Sequence, residues 1–276
     1  MAIGVLGQNL LIGYTGQISF GQAGLLAVGA YACGHLAVAG APSLICILGA
    51  GVAAALVGLL VGIPSLRLKG PYLAIATLGF GIAVYQLFSN VPWLSGGRTG
   101  LALPPIRPPF GISRSLWLYY FDLALLIVFA AAAYNLVSSY VGRAFMAVRD
   151  SEVAAESMGV NLTRTKLLAF ALSSFYSGVH GALYAQFLGH LEAELFSVAQ
   201  VLPLFVALVV GGLASVEGSI FGAAFVVLLP ALLGDARWAV PVLFGVAAIL
   251  VLIFEPLGIA GRFTKARLYF RLWPFK

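Results

Sequence analysis

Charge is scarce in this sequence: 15 basic and 9 acidic side chains in 276 residues, 9% of the chain, against about 25% in a soluble domain. Residues 1–66 contain none at all. Too little polar surface is available to cover a water-soluble core, which excludes an ordinary globular domain. A hydrophobic content of 62% excludes disorder, whose signature is the opposite. Cysteine is nearly absent. Cys33 and Cys46 sit in apolar stretches without metal-type spacing, so neither a disulfide framework nor a metal site is expected. The net charge of +6 comes with no basic stripe carrying interleaved aromatics, and nucleic acid is excluded as a partner. Also missing are a Gly-rich phosphate loop, a Ser/His/Asp set and paired carboxylates, so no catalytic residues are expected and the chain is not read as an enzyme.

What the sequence has is long apolar runs. Beyond residue 66, charge-free stretches cover 70–97, 123–142, 167–191, 195–216, 218–234 and 238–254. Crossing the hydrocarbon layer takes about 20 apolar residues in a helix. The runs are continuous instead of alternating, which excludes an outer-membrane barrel. An all-α integral membrane protein is predicted, a polytopic helical bundle forming one domain over 1–276. Its eight or nine spans are placed at 1–13, 20–40, 44–66, 71–90, 118–141, 167–189, 200–214, 219–234 and 238–257, some broken or re-entrant at Gly211, Gly212 and Gly218. There is no basic n-region and the first apolar stretch does not stop, so no cleaved signal peptide is expected.

Lys and Arg set the orientation. Arg67, Lys69, Arg143, Arg149, Arg164, Lys166, Arg262, Lys265, Arg267, Arg271 and Lys276 fall on one face; Arg98, Arg107, Arg114 and Arg237 fall on the other. Positive-inside bias makes the first face cytoplasmic, with a cytoplasmic C-terminus. The basic tail 261–276 also carries Tyr269, Phe270, Trp273 and Phe275, a composition suited to the lipid interface. The outer loop 91–116 holds Pro92, Pro104, Pro105, Pro108 and Pro109 with Gly96, Gly97, Gly100 and Gly111, so extended or turning backbone is expected, serving as a connector or as a surface for an external partner.

The acidic residues are all expected at span ends or in loops, which leaves His35 and His180 as the deep titratable groups. That is poor provision for ion coupling, which normally places ionisable groups at membrane depth. Uncharged polar groups are placed differently. Gln17, Ser19 and Gln22 lie among Gly13, Gly16, Gly21 and Gly24, and Thr77 lies in the run 70–97. They read either as hydrogen bonds between tightly packed helices or as the lining of a broken helix beside a substrate pathway. Ser219-Ile220-Phe221-Gly222 echoes Ile18-Ser19-Phe20-Gly21.

Residues 142–166 form the most polar internal segment. Asp150 or Ser151 can cap a short helix, Glu152 suits its first turn, and Gly159 suits the left-handed residue closing it. Glu152 and Glu156, one turn apart, repel each other mildly and suit an external basic partner. Val153 and Met158 are available for apolar contact. The alternative is a solvated loop between spans.

The segment 142–184, GRAFMAVRDSEVAAESMGVNLTRTKLLAFALSSFYSGVHGALY, resembles the signature region of the LivM family. GYTGQISFGQAGLLAVGAY near the N-terminus, KGPYLAIATLGFG at 69–81, SGGRTGL at 95–101 and VVGGLASVEGSIFGAAFVVLLP at 209–230 resemble the same family, in the same order. The resemblance implies a bacterial inner-membrane permease subunit of an ABC importer for branched-chain or other apolar amino acids, half of a translocation pore. Related permeases serve urea, amides and aromatic acids; a self-sufficient facilitator or secondary transporter using His35 or His180 is the alternative from another class. The implied partners are a second permease of the LivH type, two ATP-binding subunits using ATP and Mg, a periplasmic substrate-binding protein and membrane lipid. No cofactor is expected in this chain. Under the resemblance, Arg143, Arg149, Asp150, Glu152, Val153, Glu156, Met158 and Gly159 form the ATPase-coupling loop, and Gln17, Ser19, Gln22 and Thr77 are candidates for the pathway. Two departures stand out. The chain begins almost at the GYTGQ motif, so a shortened first span is expected. Counting back from Gly159 puts Val153 where importers generally have the Glu of a Glu-Ala-Ala motif.

Overall fold

A computed structural model describes residues 1–68, 70–97, 100–105, 113–255 and 258–261, with the backbone alone of 235–237. Almost every apolar run becomes a helix, the conformation that satisfies backbone N–H and C=O groups within one segment when no water is available. The helices are Ala2–Ile12 (α1), Gln22–Val38 (α2), Ser43–Ser65 (α3), Pro71–Asn90 (α4), Pro92–Ser95 (α5), Arg114–Ser138 (α6), Tyr140–Asp150 (α7), Glu152–Ser157 (α8), Leu162–Leu188 (α9), Val201–Gly211 (α10), Val216–Leu233 (α11) and Val240–Phe254 (α12). Among the described residues, α3, α4, α6, α11 and the helix opening at Val240 are the 5 long and apolar enough to cross a membrane. α1 and α2 are apolar but shorter, and α9 has the length without the apolarity.

α9 is the axis of the bundle. Gly4 and Gly7 of α1 lie against His180 and Tyr176, so α1 runs antiparallel to α9. Gln22, Gly29 and Cys33 of α2 meet Ser173, Gly178 and Ala182 in that order, so α2 runs parallel. α3 returns antiparallel, with Gly51 at Phe175 and Gly62 at Leu167 and Phe170. These contacts are nearly backbone to backbone: a Cβ on Gly181 would stand 2.1 Å from the Leu26 carbonyl oxygen. α10 and α11 form a hairpin in which Gly211 faces Gly218 and Gly222 faces Ala207.

α3 shows how such a bundle meets lipid. Ala50, Gly51, Ala54, Gly58 and Gly62 are buried, while Leu44, Leu48, Val52, Leu56, Leu60 and Ile63 are exposed. Small residues let neighbouring backbones approach, and dispersion contacts at short range replace a hydrophobic drive that hydrocarbon does not supply.

Four sequence expectations change. The segment 142–166 holds the short helix expected after Ser151, as α8, but the stretch before it is not a loop: α7 buries Ala144, Phe145 and Val148, and Phe145 sits in the core cluster with Leu6, Leu10 and Phe170. Residues 91–116 are not wholly extended, since α5 begins with Pro92 at a position where its missing N–H costs nothing, and Leu101–Ala102 (β1) pairs antiparallel with His190–Leu191 (β2). α6 starts at Arg114, so Asp122 lies roughly 12 Å inside it and not at a span end. His35 is exposed in the last turn of α2, its Nε2 2.8 Å from the Leu94 carbonyl oxygen; only His180 is deep. Lys69, Arg98 and Arg107 and the tail 262–276 lie outside the described residues.

Candidate functional site

Two regions hold the residues singled out by sequence. The first is the interruption between α1 and α2. Residues 13–21 leave the helix, with Gly16 at φ +69°, and the chain reverses direction against α9. Thr77 on α4 steadies this turn: its Oγ1 accepts from Phe20 N at 3.0 Å and donates back to the Leu73 or Ala74 carbonyl. Ser19 Oγ accepts from Gly21 N at 3.4 Å. Gln22 begins α2 and is spent on α9, donating Nε2–H to Ser173 Oγ at 2.9 Å and accepting from Ser177 Oγ. Three of the four named groups therefore hold helices and turns together.

Gln17 differs. It is buried, and neither amide atom has a hydrogen-bond partner among the described residues. Gln8, one turn before the end of α1, is in the same condition and is wholly buried. A buried amide without partners costs about 1–3 kcal/mol; Gln8 carries that cost in the last turns of α1 and Gln17 within the break that follows it. Sequence reasoning passed over Gln8 and its neighbour Asn9, although amides in an 11-residue apolar helix are themselves a signal.

The second region is the capped segment before α9. Ser139 caps α7, Ser151 caps α8 by accepting from Ala154 N at 3.3 Å, and Asn161 caps α9 by accepting from Arg164 N at 2.9 Å. Asp150 ends α7 and pairs with Arg149 at 3.1 Å. Gly159, at φ +84°, turns the chain between α8 and α9. Ala155 is buried beneath α8, whereas Val153 and Met158 are 79% and 83% exposed and Glu156 is also exposed.

The two carboxylates of α8 diverge. Glu152 does not face outward as a free charge: its Oε1 lies 2.6 Å from Nζ of Lys166, a lysine only 4% exposed. This pair bolts α8 to the first turn of α9. Arg143 is exposed and donates to the Ser138 carbonyl at 3.3 Å. Arg149 is exposed too, with Nε and Nη2 each 3.1 Å from Asp150 Oδ1, and its Nη1 donates to the Gly13 carbonyl at 3.2 Å. Basic residues Arg143, Arg149, Arg164 and Lys166 thus gather at the end of the bundle where the α1–α2 turn lies. Among the described residues no group of three or more His, Cys, Asp or Glu side chains is disposed to hold a metal.

Known proteins resemble this chain in sequence. The LivM permease of the high-affinity branched-chain amino acid transport system of Salmonella typhimurium is 31% identical over 280 aligned residues, covering 92% of this chain and 66% of that relative. Its Escherichia coli counterpart gives the same identity and coverage. The chain therefore spans a little under two thirds of the length of these relatives. The LsrC permease of the autoinducer 2 import system of Klebsiella pneumoniae is 30% identical over 168 residues, covering 61% of this chain and 46% of that protein. No solved structure matches the chain. A family model described as branched-chain amino acid transport system, permease component, matches residues 1–254, and the chain belongs to that family.

Proposed function

We propose that this chain is half of the translocation pathway of an ATP-driven importer of branched-chain or other apolar amino acids in a bacterial inner membrane. A second permease of the LivH type would complete the pore. Two ATP-binding subunits would supply energy from ATP and Mg, and a periplasmic binding protein would deliver substrate. The basic end of the bundle would face the cytoplasm by the positive-inside rule, with the C-terminus on the same side.

The observation that carries this reading is α8. It is short, capped at its start, bolted to α9 through Lys166 and Glu152, and offers Val153, Met158 and Glu156 outward. Exposed apolar side chains beside a carboxylate on a rigid support suit an apolar groove with a basic rim on a partner. A transporter driven by a separate ATPase needs such an element. Substrate preference follows the relatives' names, and the uncharged amides Gln8 and Gln17 suit a net-neutral solute.

Reconstitution tests the reading. The chain with its partner subunits should import radiolabelled leucine only when ATP is present, and the chain alone should neither hydrolyse ATP nor import leucine. Uptake by the chain alone would sink the proposal. Glu156→Lys should abolish co-purification with the ATP-binding subunits while membrane insertion and thermal stability of the permease stay unchanged. A periplasmic partner that binds urea but no amino acid would move the substrate assignment elsewhere in the family.

A further inference from the structure

Two turns that interrupt the apolar helices, 13–21 between α1 and α2 and 212–215 between α10 and α11, lie against each other through one side chain. Asn9 is 1% exposed. Its Nδ2 lies 2.7 Å from Ser219 Oγ, 2.8 Å from the Ser215 carbonyl and 3.3 Å from the Gly212 carbonyl, and its Oδ1 accepts from Ala214 N at 2.8 Å. Ala214 is held at φ +57°, the only non-glycine with positive φ among the described residues. A side chain in that region costs about 1–3 kcal/mol and persists only where the surroundings impose it. Gly13 closes the contact: a Cβ there would stand 2.5 Å from Ala214 N.

The same Gly13 is gripped from the other side by Arg149 Nη1 at 3.2 Å. Arg149 belongs to α7, and Ser151 alone separates α7 from α8. α8 is in turn fixed to α9 by Lys166 and Glu152. A continuous path therefore runs from α8 along the chain through Ser151 into α7, from Arg149 to the Gly13 carbonyl, from Gly13 N to the Asn9 carbonyl at 2.8 Å, and from the Asn9 side chain to 212–215. Ser151 is the single residue between the two helices, and every non-covalent step on the path is at hydrogen-bond length.

We propose that Arg149 and Asn9 are positioning residues that tie both turns to the α7–α8 segment, so that displacement of α8 is delivered to the two turns together. This deepens the proposed function and rests on it. Arg149 would act through Gly13, by the guanidinium nitrogen that reaches the α1–α2 turn.

The test uses the assembled transporter in proteoliposomes, measuring radiolabelled leucine import and ATP hydrolysis in the same sample. Absence of ATP-dependent import by the wild type would overturn the proposed function itself. With an active wild type, Arg149→Leu should assemble normally and raise the ATP consumed per leucine imported about fivefold or more. Arg149→Lys, whose ammonium can still reach the Gly13 carbonyl, should recover most of the coupling. A wild-type ratio in Arg149→Leu, or a proportional fall of both activities, would overturn the tie. A covalent replacement gives an independent reading. An ideal Cβ at Gly16 lies 3.5 Å from Cβ of Arg149, within disulfide reach. The double variant Gly16→Cys with Arg149→Cys should be uncoupled when reduced and recoupled when oxidised. Arrest of transport on oxidation would show that turn and α7 must part during the cycle, and the proposal would fail.

Discussion

α6 and α9 are of similar length, 25 and 27 residues, yet obey opposite rules. α6 lies at the edge: only Leu118, Phe129 and Ala133 are buried, and its exposed residues include Leu116, Tyr119, Ile127, Val128 and Tyr134. α9 is enclosed by α1, α2 and α3 and buries Lys166, Ser173, Ser174, Ser177, His180 and Gln186. A helix that faces lipid must be apolar along its outer face. One that faces other helices is free to carry hydroxyls and amides, provided they find partners. Hydropathy therefore recognises α6 readily and undervalues α9, although α9 organises the molecule.

The sharpest way to break this contrast is steric. Gly181→Leu on α9 drives a side chain into the Leu26 carbonyl and should cost about 3 kcal/mol or more, with loss of monodisperse protein on size exclusion. Ala131→Leu on the exposed face of α6 should be within about 0.5 kcal/mol of wild type. Equal tolerance at both positions would remove α9 from the centre.

Lys166→Met comes next. It leaves the partly exposed Glu152 without its cation and should cost about 1–3 kcal/mol, less than for a fully enclosed pair because water screens Glu152. α8 should then become protease-sensitive while α9 stays protected. Unchanged cleavage would mean the ion pair does not hold α8.

The smallest effects separate glue from pathway. Gln22→Ala removes bonds to Ser173 and Ser177 and should lower thermal stability by about 1 kcal/mol, with leucine uptake per folded molecule unchanged. Gln17→Ala removes no bond among the described residues and relieves a buried, partnerless amide, so stability should hold or rise by up to about 1–3 kcal/mol while uptake falls. Reversed outcomes would exchange the roles of the two amides.

Much of the fold was legible because lipid and length act locally. The spans expected from the apolar sequence match α1 to α4 and α9 to α12 to within a few residues, and Ser151 and Gly159 mark element ends by cap and turn chemistry. The polar composition of α7 masks its helix, although Val141, Ala144, Phe145 and Val148 recur at helical spacing. Glu152 looked available for a partner because Lys166, fourteen residues on, is close only after the chain has turned at Gly159.

By itself, the sequence determined that this chain is a bundle of apolar helices, which end carries the positive charge, and that a capped polar segment precedes α9. Those properties depend on composition and near-neighbour spacing, which membrane and backbone read residue by residue. Tertiary structure alone decided which polar groups are spent and which are unpartnered. Gln22 and Gln17 are five positions apart and chemically identical, yet one meets two serines of α9 and the other finds no hydrogen-bond partner among the described residues. The same holds for Asn9, whose partners lie more than 200 residues away. A hydrogen bond needs an atom within about 3 Å, and only the packing of distant helices places one there.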